Sequence, residues 1–129
     1  MTEQVKKTEQ EWKEQLSPEQ YAVLRQQATE RAFTGAYVNT KTPGTYRCAG
    51  CGGALFSSDT KFESGSGWPS FWEPYDPTHV RQVQDTSAGM VRTEIECVRC
   101  GSHLGHVFND GPQPTGMRHC TNGTALKFV

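Results

Sequence analysis

Two Cys-x-x-Cys-Gly motifs constrain the fold of this chain more than any other feature of its sequence. They are formed by Cys48 and Cys51 and, further along, by Cys97 and Cys100. A two-residue spacing lets both sulfurs of a motif turn toward one ion, and the following glycine permits the positive φ that such a turn needs. Two motifs supply four thiolates, the tetrahedral ligand set of structural zinc. Because residues 52–96 lie between them, the pattern predicts zinc at the base of an inserted subdomain.

The same four cysteines have two other interpretations. One is a thioredoxin-like redox pair, but neither motif opens the helix of a βαβ unit in this sequence. The other is tetrathiolate iron in an electron carrier, since iron accepts the same ligands, and a colourless protein would exclude it. A complete thiolate set leaves no open coordination position for a substrate. The metal is therefore expected to be structural.

The fifth cysteine, Cys120, belongs to neither motif. A strand through residues 118–122 would put Arg118, Cys120 and Asn122 on one face. A guanidinium on that face favours the thiolate and lowers the pKa of a thiol, and the Asn122 amide is a donor for the thiolate or its product. The pattern predicts a reactive cysteine. A structural cysteine at the end of a core strand is the alternative, because free cysteines are commonly buried.

A second polar group, His103 and His106, has a spacing of three residues. Because the metal already has four thiolates, acid/base chemistry at neutral pH suits these histidines better than ligation, although a structural role fits either one equally well. Residues 67–72 combine Gly and Pro with aromatic side chains, which are suited to a pocket wall or to core packing. Together these groups and Cys120 predict a pocket for a small molecule or a side chain.

The chain is predicted to form one domain, with a helical layer over residues 1–35 and a mostly β, antiparallel core over residues 36–129. Ser17-Pro18-Glu19-Gln20 combines an N-cap serine, a proline at the first helical position and a glutamine at the third. A shorter helix is predicted around residues 9–15. Alternating apolar runs between turn signals predict strands at residues 45–48, 55–56, 78–84, 91–97, 103–108 and 125–129.

Charge and hydropathy argue against several classes of protein. The formal net charge is −1 and no basic run is available to neutralise phosphates, so neither nucleic acid nor an anionic membrane is an expected partner. No apolar run approaches the roughly 20 residues of a membrane helix. The first 15 residues are polar and carry no apolar signal-peptide core. A reducing, cytoplasmic location is expected.

As a set, the motifs resemble those of the B-type methionine sulfoxide reductases, which act on the R epimer at sulfur. The resemblance covers nearly the whole sequence and is highly specific, whereas any one motif alone is weak. It rests on both Cys-x-x-Cys pairs and on Ser17-Pro18-Glu19-Gln20-Tyr21, Gly44-Thr45-Tyr46, Gly67-Trp68-Pro69-Ser70-Phe71, Arg92-Thr93-Glu94, His103-Leu104-Gly105-His106-Val107-Phe108, Asp110-Gly111-Pro112 and Arg118-His119-Cys120.

The resemblance implies a β-tent-like fold, in which two antiparallel sheets are braced by a structural zinc ion. It also implies that the Cys120 thiolate attacks the sulfoxide sulfur of free or protein-bound methionine sulfoxide. His103 is the first choice for orienting or supplying the proton that the oxygen needs, with His106 beside it. Methionine leaves, and Cys120 remains as a sulfenic acid, the first step of cysteine oxidation.

Four further residues receive roles from the same resemblance. Trp68 would hold the terminal methyl group of the substrate, and Phe108 would wall the pocket. Arg118 and Asn122 would tune the thiolate. Thioredoxin or a similar thiol reductant, oxidised proteins as substrates and a monomeric state are the corresponding expectations.

The sequence departs from the family pattern at two places. Many relatives carry a recycling cysteine in the loop before Gly-Trp-Pro-Ser-Phe, where this chain has Ser66. With four cysteines committed to metal, an internal disulfide with Cys120 is not available unless the metal site opens, so an external thiol is expected to attack the sulfenic acid directly. The second departure is Thr121-Asn122-Gly123-Thr124, where relatives usually carry an aliphatic residue and then Asn-Ser. Asn122 is retained, but its local hydrogen bonds are open to change.

A non-catalytic, zinc-braced β module that binds a peptide or a protein is the main alternative function, because a fold does not fix a function. The feature that separates the two is Cys120 in its Arg-His-Cys setting, for which a binding module has no need.

Overall fold

A computed structural model describes residues 6–34, 37–86, 89 and 91–129. Two short helices come first, α1 (Glu9–Gln15) and α2 (Pro18–Gln26). The Ser17 hydroxyl accepts from Gln20 N and the Gln20 side chain accepts from Ser17 N, so the predicted capping box is confirmed. Helix α2 ends earlier than the predicted helical layer, because Gln27 adopts a left-handed conformation with φ 59°. Gly35, the predicted end of that layer, lies outside the described residues.

In the described part of the chain nine strands follow, in two antiparallel sheets. The small sheet has the order β2-β1-β9 and the large sheet the order β3-β4-β8-β7-β6-β5. The predicted fold class, mostly β with two antiparallel sheets and a four-cysteine cluster, is confirmed. The strands are β1 (Thr45–Cys48), β2 (Ala54–Ser57), β3 (Lys61–Phe62), β4 (Ser70–Phe71), β5 (Val80–Asp85), β6 (Arg92–Cys97), β7 (His103–Phe108), β8 (Arg118–Thr121) and β9 (Leu126–Phe128).

Strands β1 and β7 begin and end where the sequence pattern places them, whereas β3 and β4 were not predicted. Each of these two has only two residues, which is too short for alternation of side chains to be visible. The predicted strands at residues 78–84 and 125–129 are each shortened by a 3₁₀ turn, Pro77–His79 and Gly123–Ala125.

The core lies between the two sheets and is rich in aromatic side chains. Phe71 of the large sheet stacks on Phe56 of the small sheet, with ring centroids 4.4 Å apart. Tyr46 meets the same Phe71 edge-on at 5.1 Å. All three side chains are fully buried, and aromatic pairs of this kind stabilise beyond the area they bury. The sheets are therefore held together at their centre by these rings.

The second face of the large sheet carries polar side chains in one row. Glu94, His106, Cys120 and Ser70 are consecutive partners across β6, β7, β8 and β4. Residues that lie directly opposite each other in antiparallel strands project from the same face of the sheet. Four neighbouring strands thus bring these groups together.

No helix in the described part of the chain is both long enough and apolar enough to cross a membrane.

We expect Gly105→Ala to destabilise the large sheet and displace Cys120. An added Cβ at Gly105 would lie 2.0 Å from the backbone oxygen of Cys120 on the neighbouring strand, and overpacking against rigid backbone costs about 3 kcal/mol. Urea unfolding measures the loss. Gly50→Ala is the control, because its added carbon meets side-chain atoms rather than backbone, the Trp12 ring at 3.2 Å and Ser102 Oγ at 3.4 Å. Equal unfolding free energies for Gly105→Ala and the wild type would contradict the expectation.

Candidate active site and metal centre

The four cysteines of the two motifs meet between the sheets, because β1 ends at Cys48 and β6 ends at Cys97. Cys48 Sγ lies 3.7 Å from Cys100 Sγ, Cys51 Sγ lies 3.6 Å from Cys97 Sγ, and all four sulfurs lie within 4.8 Å of one another. A tetrahedron with metal–sulfur bonds of about 2.3 Å has edges of roughly 3.8 Å. Disulfide sulfurs would be about 2.05 Å apart. The cluster therefore fits a tetrahedral metal ion.

The turn of each cysteine motif has the conformation that its glycine predicted. Gly52 and Gly101 have φ values of 80° and 74°, a region that side-chain-bearing residues rarely adopt. Their N–H groups donate to Cys48 O at 2.8 Å and to Cys97 O at 2.7 Å. Both turns are thus closed by backbone hydrogen bonds that leave the sulfurs facing the cluster.

The two helices cover the cysteine motifs. Gln15 Nε2 donates to Gly50 O at 2.6 Å, and Arg25 Nη1 donates to Cys100 O at 2.8 Å. The Arg25 guanidinium also lies over the buried Trp12 ring, 4.7 Å from its centroid. Helix docking and the shape of the metal site are therefore coupled.

A cavity of about 330 Å³ opens beside Cys120. Of the residues predicted for the site, it brings together Cys120, His106, Arg118 and Asn122 with the aromatic Trp68 and Phe108. The complete lining is Thr29, Ser66, Trp68, Arg92, Gly105, His106, Phe108, Arg118, Cys120, Thr121 and Asn122.

The aromatic walls of the cavity are fixed by contacts with their surroundings. Trp68 Nε1 donates to Glu30 O at 2.9 Å, which ties the indole to the segment that follows α2. The Arg118 guanidinium lies over the Phe108 ring, 4.5 Å from its centroid. An apolar cavity with a few polar groups is the usual form of a small-molecule site.

The two predicted histidines differ in position. His106 lines the cavity and is the strand partner of Cys120. His103 is not among the described residues that line the cavity. It is buried, and its Nδ1 lies 2.6 Å from Glu94 Oε2. Burial raises the pKa of Glu94 to about 7 and lowers the pKa of His103. The geometry therefore favours His106, not the first-choice His103, for proton transfer at Cys120.

Comparison with known proteins assigns the family. The model of the SelR domain family matches residues 16–129. A peptide methionine sulfoxide reductase MsrB of Leptospira interrogans is 59% identical over 128 residues, which cover 99% of this chain and 98% of the relative. MsrB proteins of Thiobacillus denitrificans and Methanosarcina barkeri are each 59% identical, with 95% and 96% of this chain and 92% and 87% of the relatives covered.

This chain belongs to the MsrB family. The predicted family and the predicted enzyme class, a peptide methionine sulfoxide reductase, are confirmed.

In this MsrB chain the Arg118 guanidinium lowers the pKa of the Cys120 thiol, in the direction that the sequence predicts, but burial has the larger effect. Burial raises the pKa of the Cys120 thiol above its ordinary value, and it outweighs the opposite effects of the Ser66 hydroxyl and the Arg118 guanidinium. Arg118 is itself held by Asp110, with Nε 2.8 Å from Oδ1 and Nη2 3.2 Å from Oδ2. Burial therefore disfavours the thiolate form of Cys120 more than its polar neighbours favour it.

Alkylation of Cys120 by iodoacetamide should follow that raised pKa. Only the thiolate reacts, so the rate should rise about tenfold per pH unit from pH 7 through pH 9, beyond the pH at which an ordinary thiol of pKa about 8.5 levels off. Mass spectrometry of the Cys120 peptide measures the rate, and a short cysteine peptide serves as the reference. A plateau below pH 8 would contradict this expectation.

Asn122 lines the cavity, but its amide is engaged elsewhere. Its Oδ1 accepts from Glu30 N at 3.0 Å and its Nδ2 donates to Leu104 O at 3.0 Å. The side chain therefore joins the segment after α2 to strand β7. A part in tuning the thiolate directly, as the resemblance implied, is not needed to account for this residue.

Three serines form a hydroxyl chain around Cys120. Ser66 Oγ lies 3.9 Å from Cys120 Sγ and 2.7 Å from Ser64 Oγ, which lies 2.8 Å from Ser70 Oγ. Ser70 is also the strand partner of Cys120. Ser66, at the position where the resemblance implies a recycling cysteine in many relatives, thus lies next to the Cys120 sulfur.

Sequence reasoning missed three charged residues beside the histidines. Asp85 Oδ2 lies 2.8 Å from His106 Nε2 and 3.2 Å from Arg92 Nη2, and Glu94 contacts His103. Arg92 and Glu94 alternate with apolar residues along β6, and this alternation predicted that their side chains share one polar face of the strand. It did not predict that this face contacts Asp85 and His103. Asp85 carried no such signal, since the predicted strand ended one residue before it.

Proposed function

We propose that this enzyme reduces the R epimer of methionine sulfoxide at Cys120. The observation that supports the proposal best is the pairing of Cys120 with His106 inside a cavity whose walls are the aromatic Trp68 and Phe108. Such a cavity suits one apolar side chain with a polar sulfoxide group at its reacting end. The names of the MsrB relatives state the same class of reaction.

In the proposed reaction His106 removes the proton of the Cys120 thiol as its sulfur attacks the sulfoxide sulfur, and a transient bond forms between the two sulfurs. That bond and the bond between oxygen and the methionine sulfur then break, and the oxygen becomes bonded to the Cys120 sulfur. His106 returns the proton to that oxygen, so methionine leaves and Cys120 becomes a sulfenic acid. The methionine sulfur gains the two electrons that the cysteine sulfur loses.

Trp68 and Phe108 are the proposed binding residues for the substrate. The indole is held by its hydrogen bond to Glu30 O and presents a rigid apolar surface for the terminal methyl group. The sulfoxide sulfur is a stereocentre that carries a methyl group, an oxygen and the rest of the methionine chain. The cavity selects one epimer by binding each of these three substituents at a different position.

An epimer-resolved reduction assay tests the proposed function. Wild-type enzyme with thioredoxin and a thioredoxin-recycling system should convert the R epimer, free or in an oxidised protein, and leave the S epimer unchanged. Conversion of neither epimer, or of the S epimer at an equal rate, would refute the proposal.

An external thiol of the thioredoxin type is the proposed reductant of the sulfenic acid. The four other cysteines are gathered in the cluster, and Ser66 is the neighbour of the Cys120 sulfur. One reductant thiol forms a mixed disulfide with Cys120 and releases water. A second thiol then restores Cys120 and leaves an oxidised reductant.

Ser66→Cys should create an internal recycling disulfide with Cys120. The native Oγ lies 3.9 Å from Cys120 Sγ, a separation that a small rotation of the side chains reduces to a disulfide bond. After one turnover without reductant, mass spectrometry should find a 66–120 disulfide in the variant and a trappable sulfenic acid in the wild type. Ser57→Cys, in the small sheet, is the control and should form no such bond. An internal Cys120 disulfide in the wild type would overturn the proposed external route.

Zinc is the proposed ion of the cysteine cluster, and its proposed role is structural. The sulfur separations and the closed set of four thiolates support this assignment. The ion would join β1 to β6 and so hold the two sheets in register.

A further inference from the structure

Asp85, at the end of β5, contacts the histidine that faces Cys120. Its Oδ2 lies 2.8 Å from His106 Nε2, and the two side chains are only 15% and 12% exposed. The same oxygen lies 3.2 Å from Arg92 Nη2. Neither the sequence motifs nor the comparisons assign a role to Asp85.

We propose, resting on the function proposed above, that Asp85 is the positioning residue that holds His106 for proton transfer between Cys120 and the sulfoxide oxygen. Asp85 acts through His106 and is not itself a contact of the substrate.

The contact with Asp85 decides which of the two imidazole nitrogens of His106 carries the proton. A carboxylate accepts hydrogen bonds only, so the contact with Asp85 requires a proton on His106 Nε2. In the neutral ring Nδ1 then carries a lone pair. Within the described residues, Nδ1 makes no hydrogen bond to another protein group. The nitrogen that the reaction needs as a proton acceptor is therefore the one that remains available.

The order of the strands also places Asp85, His106 and Cys120 close together. Asp85 is the partner of Arg92 in the β5–β6 pair, and His106 and Cys120 are partners in the β7–β8 pair. The four strands are neighbours in one sheet, so the carboxylate, the imidazole and the thiol are held by backbone hydrogen bonds rather than by a loop. A carboxylate–imidazole–nucleophile arrangement of this kind fixes the orientation and tautomer of the base in other enzymes.

Arg92 completes the arrangement by balancing the carboxylate. The charged or titratable groups around His106 are Asp85 on β5, Arg92 and Glu94 on β6, His103 on β7, and Arg118 and Cys120 on β8. Asp85 is the one that contacts the imidazole of His106 by a hydrogen bond among these described groups. The Arg92 guanidinium contacts the same Oδ2 as His106 and so keeps a partly buried carboxylate paired with a cation.

The proposed reaction moves one proton from Cys120 to the transferred oxygen through His106 and leaves no net change on the histidine. Nδ1 takes the proton of the Cys120 thiol and delivers it to the oxygen that moves from the methionine sulfur to the cysteine sulfur. The Nε2 proton remains between His106 and Asp85 throughout. The histidine and the carboxylate end the cycle as they began it, so no additional reactant is required.

Nitrogen-15 NMR of wild-type His106 tests the first half of the proposal without any measurement of activity. The spectrum at pH 8 should show the tautomer with its proton on Nε2, and Asp85→Asn should shift the ring toward the Nδ1–H tautomer. A wild-type ring protonated on Nδ1 would overturn the proposal. This result is independent of whether the protein reduces methionine sulfoxide.

Kinetics of the same variants test the second half. Asp85→Asn should lower kcat about a hundredfold with KM changed less than about threefold, because the general base is misoriented while the cavity is intact. Asp85→Glu should recover part of kcat. Glu96→Gln is the matched control, since Glu96 lies on the neighbouring strand and pairs with the exposed Arg81 at 2.8 Å, and it should retain wild-type kcat.

Two kinetic outcomes would overturn the positioning role. One is an Asp85→Asn kcat within about twofold of the wild type. The other is equal losses in Asp85→Asn and Glu96→Gln, which would indicate a general effect of removing negative charge from β5 and β6. If Asp85→Asn does not fold, the wild-type tautomer and the Asp85→Glu kcat decide the question. Inactivity of the wild type would refute the proposed function and leave the tautomer result standing.

Discussion

Replacement of Cys120 by serine should lower kcat for methionine (R)-sulfoxide by at least about a thousandfold, because loss of a catalytic nucleophile removes the covalent step itself. A serine hydroxyl is a weak nucleophile at neutral pH and is harder to oxidise than a thiol. The substitution exchanges one atom of similar size in a half-buried side chain. Unfolding free energy should therefore change by less than about 1 kcal/mol.

Single-turnover release of methionine is the measurement that checks this expectation. It separates the chemical step from regeneration, so a slow reductant does not mask the result. Binding of the sulfoxide to Cys120→Ser should persist, since the aromatic walls Trp68 and Phe108 are untouched. Full activity in Cys120→Ser would show that another group carries the reaction.

Loss of metal should remove most of the stability of the protein. Without an ion, the cluster brings four thiols within 4.8 Å of one another between the two sheets, and Cys48 and Cys97 are almost fully buried. Burial and mutual repulsion of thiolates then act against folding instead of being offset by ligation. We expect a loss of roughly 5 kcal/mol or more, which is comparable with the whole stability of an ordinary domain.

Chelator titration followed by circular dichroism and by tryptophan fluorescence measures this effect. Trp12 lies under the Arg25 guanidinium beside the cysteine motifs, so its emission should change as the helices lose their contacts. Elemental analysis should give one zinc per chain in the wild type. Cys97→Ser should lose the metal, whereas Cys120→Ser is the matched control and should retain it. Unchanged stability after complete removal of metal would contradict the structural role.

Features set by short-range spacing were predictable from the sequence. The cysteine motifs are complete within a few residues each, so their turns and their ability to bind one ion follow from the order Cys-x-x-Cys-Gly. The capping box at Ser17 and the bounds of β7 follow from equally local patterns. Such features depend on the backbone within one turn or one strand, where neighbouring residues decide the conformation.

Features that join distant strands were decided by the tertiary structure. Cys120 faces His106 because β7 and β8 pair in one particular register, and that register is set by packing of the whole sheet. The pairing of β5 with β6 and of β6 with β7 brings Asp85 to His106 and places His103 beside Glu94, outside the cavity lining. No spacing within the sequence distinguishes the two histidines.

The pKa of Cys120 shows the same division. The sequence determined that an arginine shares the strand face of the cysteine, and the guanidinium does favour the thiolate. Only the folded chain determines how much water reaches the sulfur, and its burial outweighs the charge of Arg118. Charge is a property of residue type, whereas desolvation depends on every group packed around the site. The sequence therefore singled out Cys120 as the candidate nucleophile, and the tertiary structure decided how far it is buried and which groups surround it.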